Sequence, residues 1–210
     1  MRSVAKRELK IGPKDHGQRM SLKDYEFVDT MEGFLYELSR GFITVSDIGD
    51  YDHGLIAATL RDYLAVYKVG HPDAIVATLG PGDCKLLVSE WESERHPDWA
   101  VYLTKPMGRK DDKLWRHWLP ELVIEVVSER STDRDYIDKR QEYWDLGIKE
   151  YWIVDANREQ IVVLRRGKSD WTEKRVGRGG KVTTRLLPGF ELPNQAIADA
   201  AAQAAEIDEE

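Results

Sequence analysis

Residues 119–155 read LPELVIEVVSERSTDRDYIDKRQEYWDLGIKEYWIVD, and this stretch decides the fold. Positions 122–127 form a continuous apolar, β-branched run interrupted by one acid, Glu125. An apolar run without alternation predicts a strand covered on both faces. An ionised carboxylate inside such a strand is costly unless it is paired or holds a metal. Ser131, Thr132 and Asp133 are helix N-cap residues, and Asp135, three after Thr132, resembles the acid of a capping box. The helix that follows carries Tyr136, Ile137, Tyr143 and Trp144 at its apolar positions and stops at Gly147. Positions 139 and 140 share the face of 136 and 143, which turns Lys139 or Arg140 toward the sheet. Residues 151–154 make a second apolar strand, closed by Asp155. A strand, a helix and a strand, with an acid in the first and a base on the helix's inner face, have the form of a site.

Working outward, residues 1–20 mix charge with Gly12, Pro13 and Gly17 and read as a flexible N-terminal arm. Residues 21–193 read as one α/β domain, and the acidic, alanine-rich tail 194–210 as a helix or a disordered end. Within the domain a short helix is expected over 22–31. Strands follow at 34–38 and 42–45 around a turn at Gly41. Residues 50–52 are placed to cap a helix over 53–68, with Ile56, Leu60, Tyr63, Leu64 and Tyr67 at helical spacing and Gly70 and Pro72 beyond it. Further strands are expected at 74–78, 85–88 and 99–103, with the polar stretch 89–96 as a connection. A charged, aromatic loop over 105–118 precedes the central strand. After Asp155, strands are expected at 161–164, 171–176 and 182–187. No internal repeat is visible.

A length of 210 residues suits one domain with a substantial core. No segment approaches the roughly 18 consecutive apolar residues of a membrane span. The opening MRSVAKRELK lacks the apolar block of a signal peptide. The lone cysteine, Cys84, excludes an intrachain disulfide and a cysteine-based zinc site, so a reducing, cytoplasmic setting is expected. The net charge of -7 argues against a protein that coats nucleic acid. The charge is uneven, however. Arg165, Arg166, Lys168, Lys174, Arg175, Arg178, Lys181 and Arg185 face only Asp170 and Glu173 in the same span. That span reads either as a basic edge for phosphates or as a solvated hairpin with charged edges.

The tripeptide His-Pro-Asp occurs at 71–73 and at 96–98. Only the second copy enters a strand shortly before the one that carries Glu125. A proline at the start of a strand forfeits no ladder hydrogen bond. Asp98 is therefore favoured over Asp73. Asp98 and Glu125, from neighbouring strands, are suited to share a Mg²⁺ ion, with the Val126 carbonyl as a third ligand, because magnesium takes oxygen donors and keeps several waters. A metal held this way activates water and neutralises phosphodiester charge, and a nearby amine such as that of Lys139 steadies the anion.

Several fragments in order then carry a family resemblance. They are Tyr36-Glu37-Leu38 with Gly41, His53 at the opening of the first long helix, Pro97-Asp98, the run ELVIEVVS at 121–128, Asp135-Tyr136, Lys139, Tyr143, Gly147 and the run EYWIVD at 150–155. Over residues 22–192 the chain resembles the Uma-type restriction endonucleases, a branch of the PD-(D/E)XK nuclease superfamily. The resemblance implies a restriction-endonuclease-like, mixed and twisted sheet flanked by helices. It also implies a homodimeric DNA endonuclease using Mg²⁺, or Mn²⁺ in its place. Carried over by residue, Asp98 and Glu125 are metal ligands, Lys139 is the basic member and Glu37 an auxiliary acid. One departure stands out. The superfamily places a lysine two residues after the glutamate, and this chain has Val127 there, with Lys139 on the helix to replace it.

Plainer readings stand beside these. Glu125 and Lys139 form a buried ion pair without a metal, or Lys139 extends past the core to solvent. Glu37 is a solvated acid on an edge strand. His53 caps or packs, Asp155 ends a strand, and Trp118, Trp144 and Trp152 pack. Trp115 packs too, or stacks on a base. The functional alternative to an endonuclease is a non-catalytic nucleic-acid-binding or assembly module, favoured by the acidic charge and by Val127.

Overall fold

The computed structural model describes residues 9–47, 51–107, 114, 117–128 and 131–206. Its contacts divide the chain into two compact units, Met1–Gly49 with Leu87–Arg95, and Asp50–Leu86 with His96–Glu210. The chain begins in the first unit with β1 (Leu9–Ile11), α1 (Leu22–Tyr25), β2 (Val28–Thr30), β3 (Phe34–Ser39) and β4 (Phe42–Asp47). It enters the second through α2 (Tyr51–Gly70) and β5 (Ala77–Leu79), then runs through β6 (Leu86–Val88) and β7 (Ser93–Arg95). The second unit is completed by β8 (Trp99–Tyr102), β9 (Leu122–Val126), α3 (Lys139–Leu146), β10 (Glu150–Asp155), β11 (Gln160–Arg166), β12 (Trp171–Val176), β13 (Lys181–Thr183), β14 (Glu191–Pro193) and α4 (Asn194–Ala205).

In the first unit, β1 and β2 pair in parallel, and a four-stranded sheet runs in the order β4-β3-β7-β6. Ile11, Leu22, Tyr25, Tyr36, Leu38 and Ile43 form its core. The described part of the segment read as an arm, from Leu9 onward, contributes β1 and the buried Ile11. Ser21 caps α1 by accepting the Asp24 N–H at 3.1 Å, and the helix stops at Tyr25 because Val28 leaves it to pair with Leu9. The polar connection read over 89–96 contains β7, whose three polar residues are all buried. Arg95, fully buried, donates to Ser39 Oγ at 2.8 Å and to Glu37 Oε2 at 3.3 Å. Glu37 is thus a buried, paired acid rather than a solvated one.

The second unit is built on a six-stranded sheet in the order β12-β11-β10-β9-β8-β5. Only β9 and β10 run parallel, and α3 lies between them in the chain as a βαβ crossover. Both central strands are buried along their whole length, as largely apolar runs without alternation require, and Glu125, Glu150 and Asp155 are buried with them. Alternate residues of β9 serve the two faces. Leu122, Ile124 and Val126 pack with Ile56, Leu60 and Leu64 of α2 and Ile197 and Ala200 of α4. Val123 and Val127 pack with Tyr143 of α3. The alanine-rich tail therefore closes one face of the core, and its small residues let α4 approach α2 closely. Gly147 ends α3 at φ 87, a left-handed conformation that glycine adopts without strain.

The opening of the central helix differs from a capping box. A π-helical turn over Arg134–Asp138 precedes α3, and the Lys139 N–H donates to the Arg134 carbonyl five residues back. Asp135 is buried and does not reach back to cap.

Several of the bases between 165 and 185 have internal partners. Arg165 pairs with Glu150, Arg175 with Glu173, Arg178 with Glu159 and Lys181 with Glu191. Arg166 donates to the carbonyls of Ile148 and Trp144, with its guanidinium 4.1 Å from the Trp144 ring centroid. β12 ends the sheet with four exposed residues, the charged edge that discourages strand-to-strand association. Burial works to raise the Glu173 carboxyl, but the Arg140 and Arg175 guanidiniums that donate to it hold it below its ordinary range.

Burial pushes the Cys84 thiol up to about 12 from an ordinary 9.0, against a smaller opposing effect of the Tyr102 hydroxyl. The unfolded thiol ionises first, so the folded chain holds the extra proton between these values and stability falls as pH rises through that window. Cys84→Ala is expected to flatten this part of the pH–stability profile measured by urea unfolding. The native thiol should stay unlabelled by a disulfide reagent at pH 8 and react fully once urea unfolds the chain.

Candidate active site

β9 delivers Glu125 to the α3 face of the sheet, 3% exposed. Its Oε1 accepts the Tyr143 hydroxyl at 2.5 Å, and its Oε2 lies 2.9 Å from Lys139 Nζ. Of the two bases that share the inner face in sequence, Lys139 is the one turned to the sheet. Arg140 reaches outward to Glu173 at 2.9 Å. Lys139 Nζ also lies 3.0 Å from Asp135 Oδ1. One buried amine therefore stands between two carboxylates, four residues apart from one of them along the helix.

Asp98 precedes β8, one step beyond the pair Trp99↔Ile124, so the antiparallel register sets it opposite Glu125. Its side chain is 13% exposed, in keeping with a carboxylate at the mouth of a strand. Asp98 Oδ2 accepts the Val126 N–H at 2.7 Å and lies 3.1 Å from His53 Nε2. Both contacts fall on one oxygen. His53, in the first turn of α2, thus touches the favoured acid. The other tripeptide plays no such part: Asp73 is exposed, and His71 stacks on Tyr67 with centroids 4.2 Å apart.

The structure thus brings Glu125 and Lys139 together and ties Asp98 to the backbone of the residue after Glu125. Glu37 lies in the first unit with Arg95. Val127, where the superfamily has a lysine, packs into the core beside Tyr143. Trp115 lies outside the described residues. Asp155 accepts the Arg158 N–H at 3.1 Å as a turn residue does, and its other oxygen accepts the Tyr136 hydroxyl at 2.9 Å.

Sequence reasoning passed over three residues of this cluster as chemistry. Asp135 had a legible signal, its spacing of four from Lys139. Tyr143 also stands four from Lys139, but its hydroxyl is invisible in an apolar stripe. His53 had only its place at a helix start.

Two carboxylates and a backbone carbonyl are all hard oxygen donors, the set that suits Mg²⁺ or Mn²⁺. Asp98 Oδ1 has neither of that carboxylate's two contacts, which leaves it available to a cation. Among the described residues no group of three or more His, Cys, Asp and Glu side chains is placed to hold a metal. A metal here would rest on the pair of acids with the Val126 carbonyl, few enough for an ion that keeps its waters.

The model of the Uma2 family, described as "Putative restriction endonuclease", matches residues 23–195. No curated protein matches the chain. Among solved structures, the chain is similar to a crystal structure from Anabaena variabilis described as a putative nuclease belonging to DUF820. The TM-score is 0.69 at 13% identity, over 87% of this chain and 99% of that one, a likeness of fold. Among the described residues no helix is long and apolar enough to cross a membrane.

Proposed function

The chain belongs to the Uma2 family, which supports a nuclease function, and we propose that it is a Mg²⁺-dependent DNA endonuclease with its centre at Asp98, Glu125 and Lys139. The observation that carries this reading is a buried Glu125–Lys139 pair whose strand neighbour, Val126, is bonded to Asp98. Asp98, Glu125 and the Val126 carbonyl would hold the ion, with Mn²⁺ as a substitute. When bound, it supplies Lewis acidity to a water and to the phosphodiester.

The chain's own residues do the rest. Tyr143 fixes the rotamer of Glu125 through Oε1, so the carboxylate cannot turn away from the site. His53 and the Val126 N–H hold Asp98 through Oδ2 and keep Oδ1 turned free of both. The Lys139 amine, kept dry and within reach of Glu125, supplies a positive charge where the phosphorane-like anion develops. Glu37 is assigned, on the resemblance alone, as an auxiliary acid supplied by the N-terminal part, where it pairs with Arg95. A second copy related by a two-fold axis would place a second centre on the opposite strand, so a homodimer fits double-strand cleavage.

The test is direct. Full-length protein incubated with supercoiled DNA is expected to nick or linearise it with Mg²⁺ or Mn²⁺ and to leave it intact in EDTA. Intact DNA across metals, salts and substrates contradicts the assignment.

One observation favours a non-catalytic reading. The Glu125 carboxylate already has Lys139 on one oxygen and Tyr143 on the other, and Val127 supplies no second amine. A binding module of this kind would retain DNA in a salt-dependent way, with an affinity unchanged in Asp98→Ala.

A further inference from the structure

On the metal reading above, the geometry points to Asp135 as a positioning residue that keeps the Lys139 amine when Glu125 Oε2 takes a divalent cation. Nζ lies 2.9 Å from Glu125 Oε2 and 3.0 Å from Asp135 Oδ1, so it already contacts both carboxylates and can yield the first while keeping the second. The Asp135 side chain is 1% exposed. Its Oδ2 accepts the Ser131 hydroxyl, while Oδ1, buried, faces the Lys139 ammonium. A carboxylate oxygen kept this dry is costly unless a cation meets it, and Lys139 is that cation.

The π turn holds this acceptor in place. Because the Lys139 N–H bonds to the Arg134 carbonyl, the Asp135 carbonyl is left to accept the Tyr151 hydroxyl at 3.0 Å. Asp135 is therefore anchored to β10 through its backbone and to Ser131 through its side chain. Ser131 Oγ in turn accepts the Ser128 N–H at 3.0 Å, which connects the anchor to the end of β9.

The physical need is plain. An ammonium and a divalent cation repel each other strongly across a few ångströms of buried space. With Glu125 as its one carboxylate, the amine would either block the metal or be left buried and unpaired. Asp135 lets Lys139 yield Glu125 without losing an anionic partner, and it keeps the amine at the centre for the reaction.

A double-mutant cycle tests this with Mn²⁺ titrated calorimetrically into full-length protein. Asp135→Asn is expected to weaken Mn²⁺ binding about tenfold when Lys139 is present. In a Lys139→Met background the same change is expected to matter by less than about twofold, because no amine needs to move. Equal losses in both backgrounds would show a plain field effect of the lost charge and overturn the role of Asp135 alone. Wild type without Asp98-dependent Mn²⁺ binding overturns the metal reading and this role together. A crystal structure of the wild-type chain with Mn²⁺ needs no variant. Nζ should sit against Asp135 and be withdrawn from Glu125, and Nζ still on Glu125 overturns the inference.

Discussion

Lys139→Met is expected to destabilise the chain by about 3–5 kcal/mol, the cost of removing one partner from a buried ion pair. The amine, Glu125 and Asp135 are 5%, 3% and 1% exposed at their side chains, so water cannot replace the lost cation. Two buried acids are then left facing each other. Pairing the change with Glu125→Gln should recover a good part of the loss, since an amide still accepts the Tyr143 hydroxyl without a net charge. Urea unfolding followed by circular dichroism measures both. A loss below about 1 kcal/mol, the scale of an exposed pair, would mean that water reaches the cluster.

Asp98→Ala is expected to lower DNA cleavage by about three orders of magnitude or more, the scale of losing a principal electrostatic stabiliser. The fold should survive. The change removes one hydrogen bond from the Val126 N–H and one contact from His53, a cost of about 1–3 kcal/mol against a typical stability of 5–15. Asp73→Ala, in the exposed copy of the same tripeptide, is the matched control and should leave cleavage unchanged. Supercoiled-plasmid nicking under Mg²⁺ compares the three proteins. Cleavage by Asp98→Ala at the wild-type rate would remove that carboxylate from the chemistry.

The parts of the fold legible in sequence are those that a single hydrophobic pattern dictates. β9 and β10 are apolar runs without alternation, the first broken only by Glu125 and the second bounded by acids, Gly147 stops the helix between them, and α2 shows Ile56, Leu60 and Leu64 at helical spacing. What escaped depends on partners far along the chain. β7 has no apolar residue, and it becomes a buried strand only because Arg95 meets Glu37 and Ser39. β1 is three residues whose single buried side chain, Ile11, gives no period to read. α4 reads as an acidic tail, and only its packing on α2 makes Ile197, Ala200 and Ala204 core residues.

The site divides in the same way. Asp98, Glu125 and Lys139 stand out because charge next to or inside apolar strands, or on a helix's inner face, needs an explanation. Asp135 looked like a cap because the spacing that makes a capping box also serves a helix that opens with a π turn. That turn is a backbone choice stabilised by Tyr151, sixteen residues away, and no local pattern announces it. His53 carried only the family resemblance and a capping or packing reading until α2 brought it to Asp98.

Whether two acids on adjoining strands hold a divalent cation is settled most directly by calorimetric titration of Mg²⁺ and Mn²⁺ into wild type, Asp98→Asn and Glu125→Gln. Wild type is expected to bind the ion and each variant to lose most of that affinity with its fold unchanged. Wild type that binds neither metal, or variants that bind as wild type does, would contradict the account.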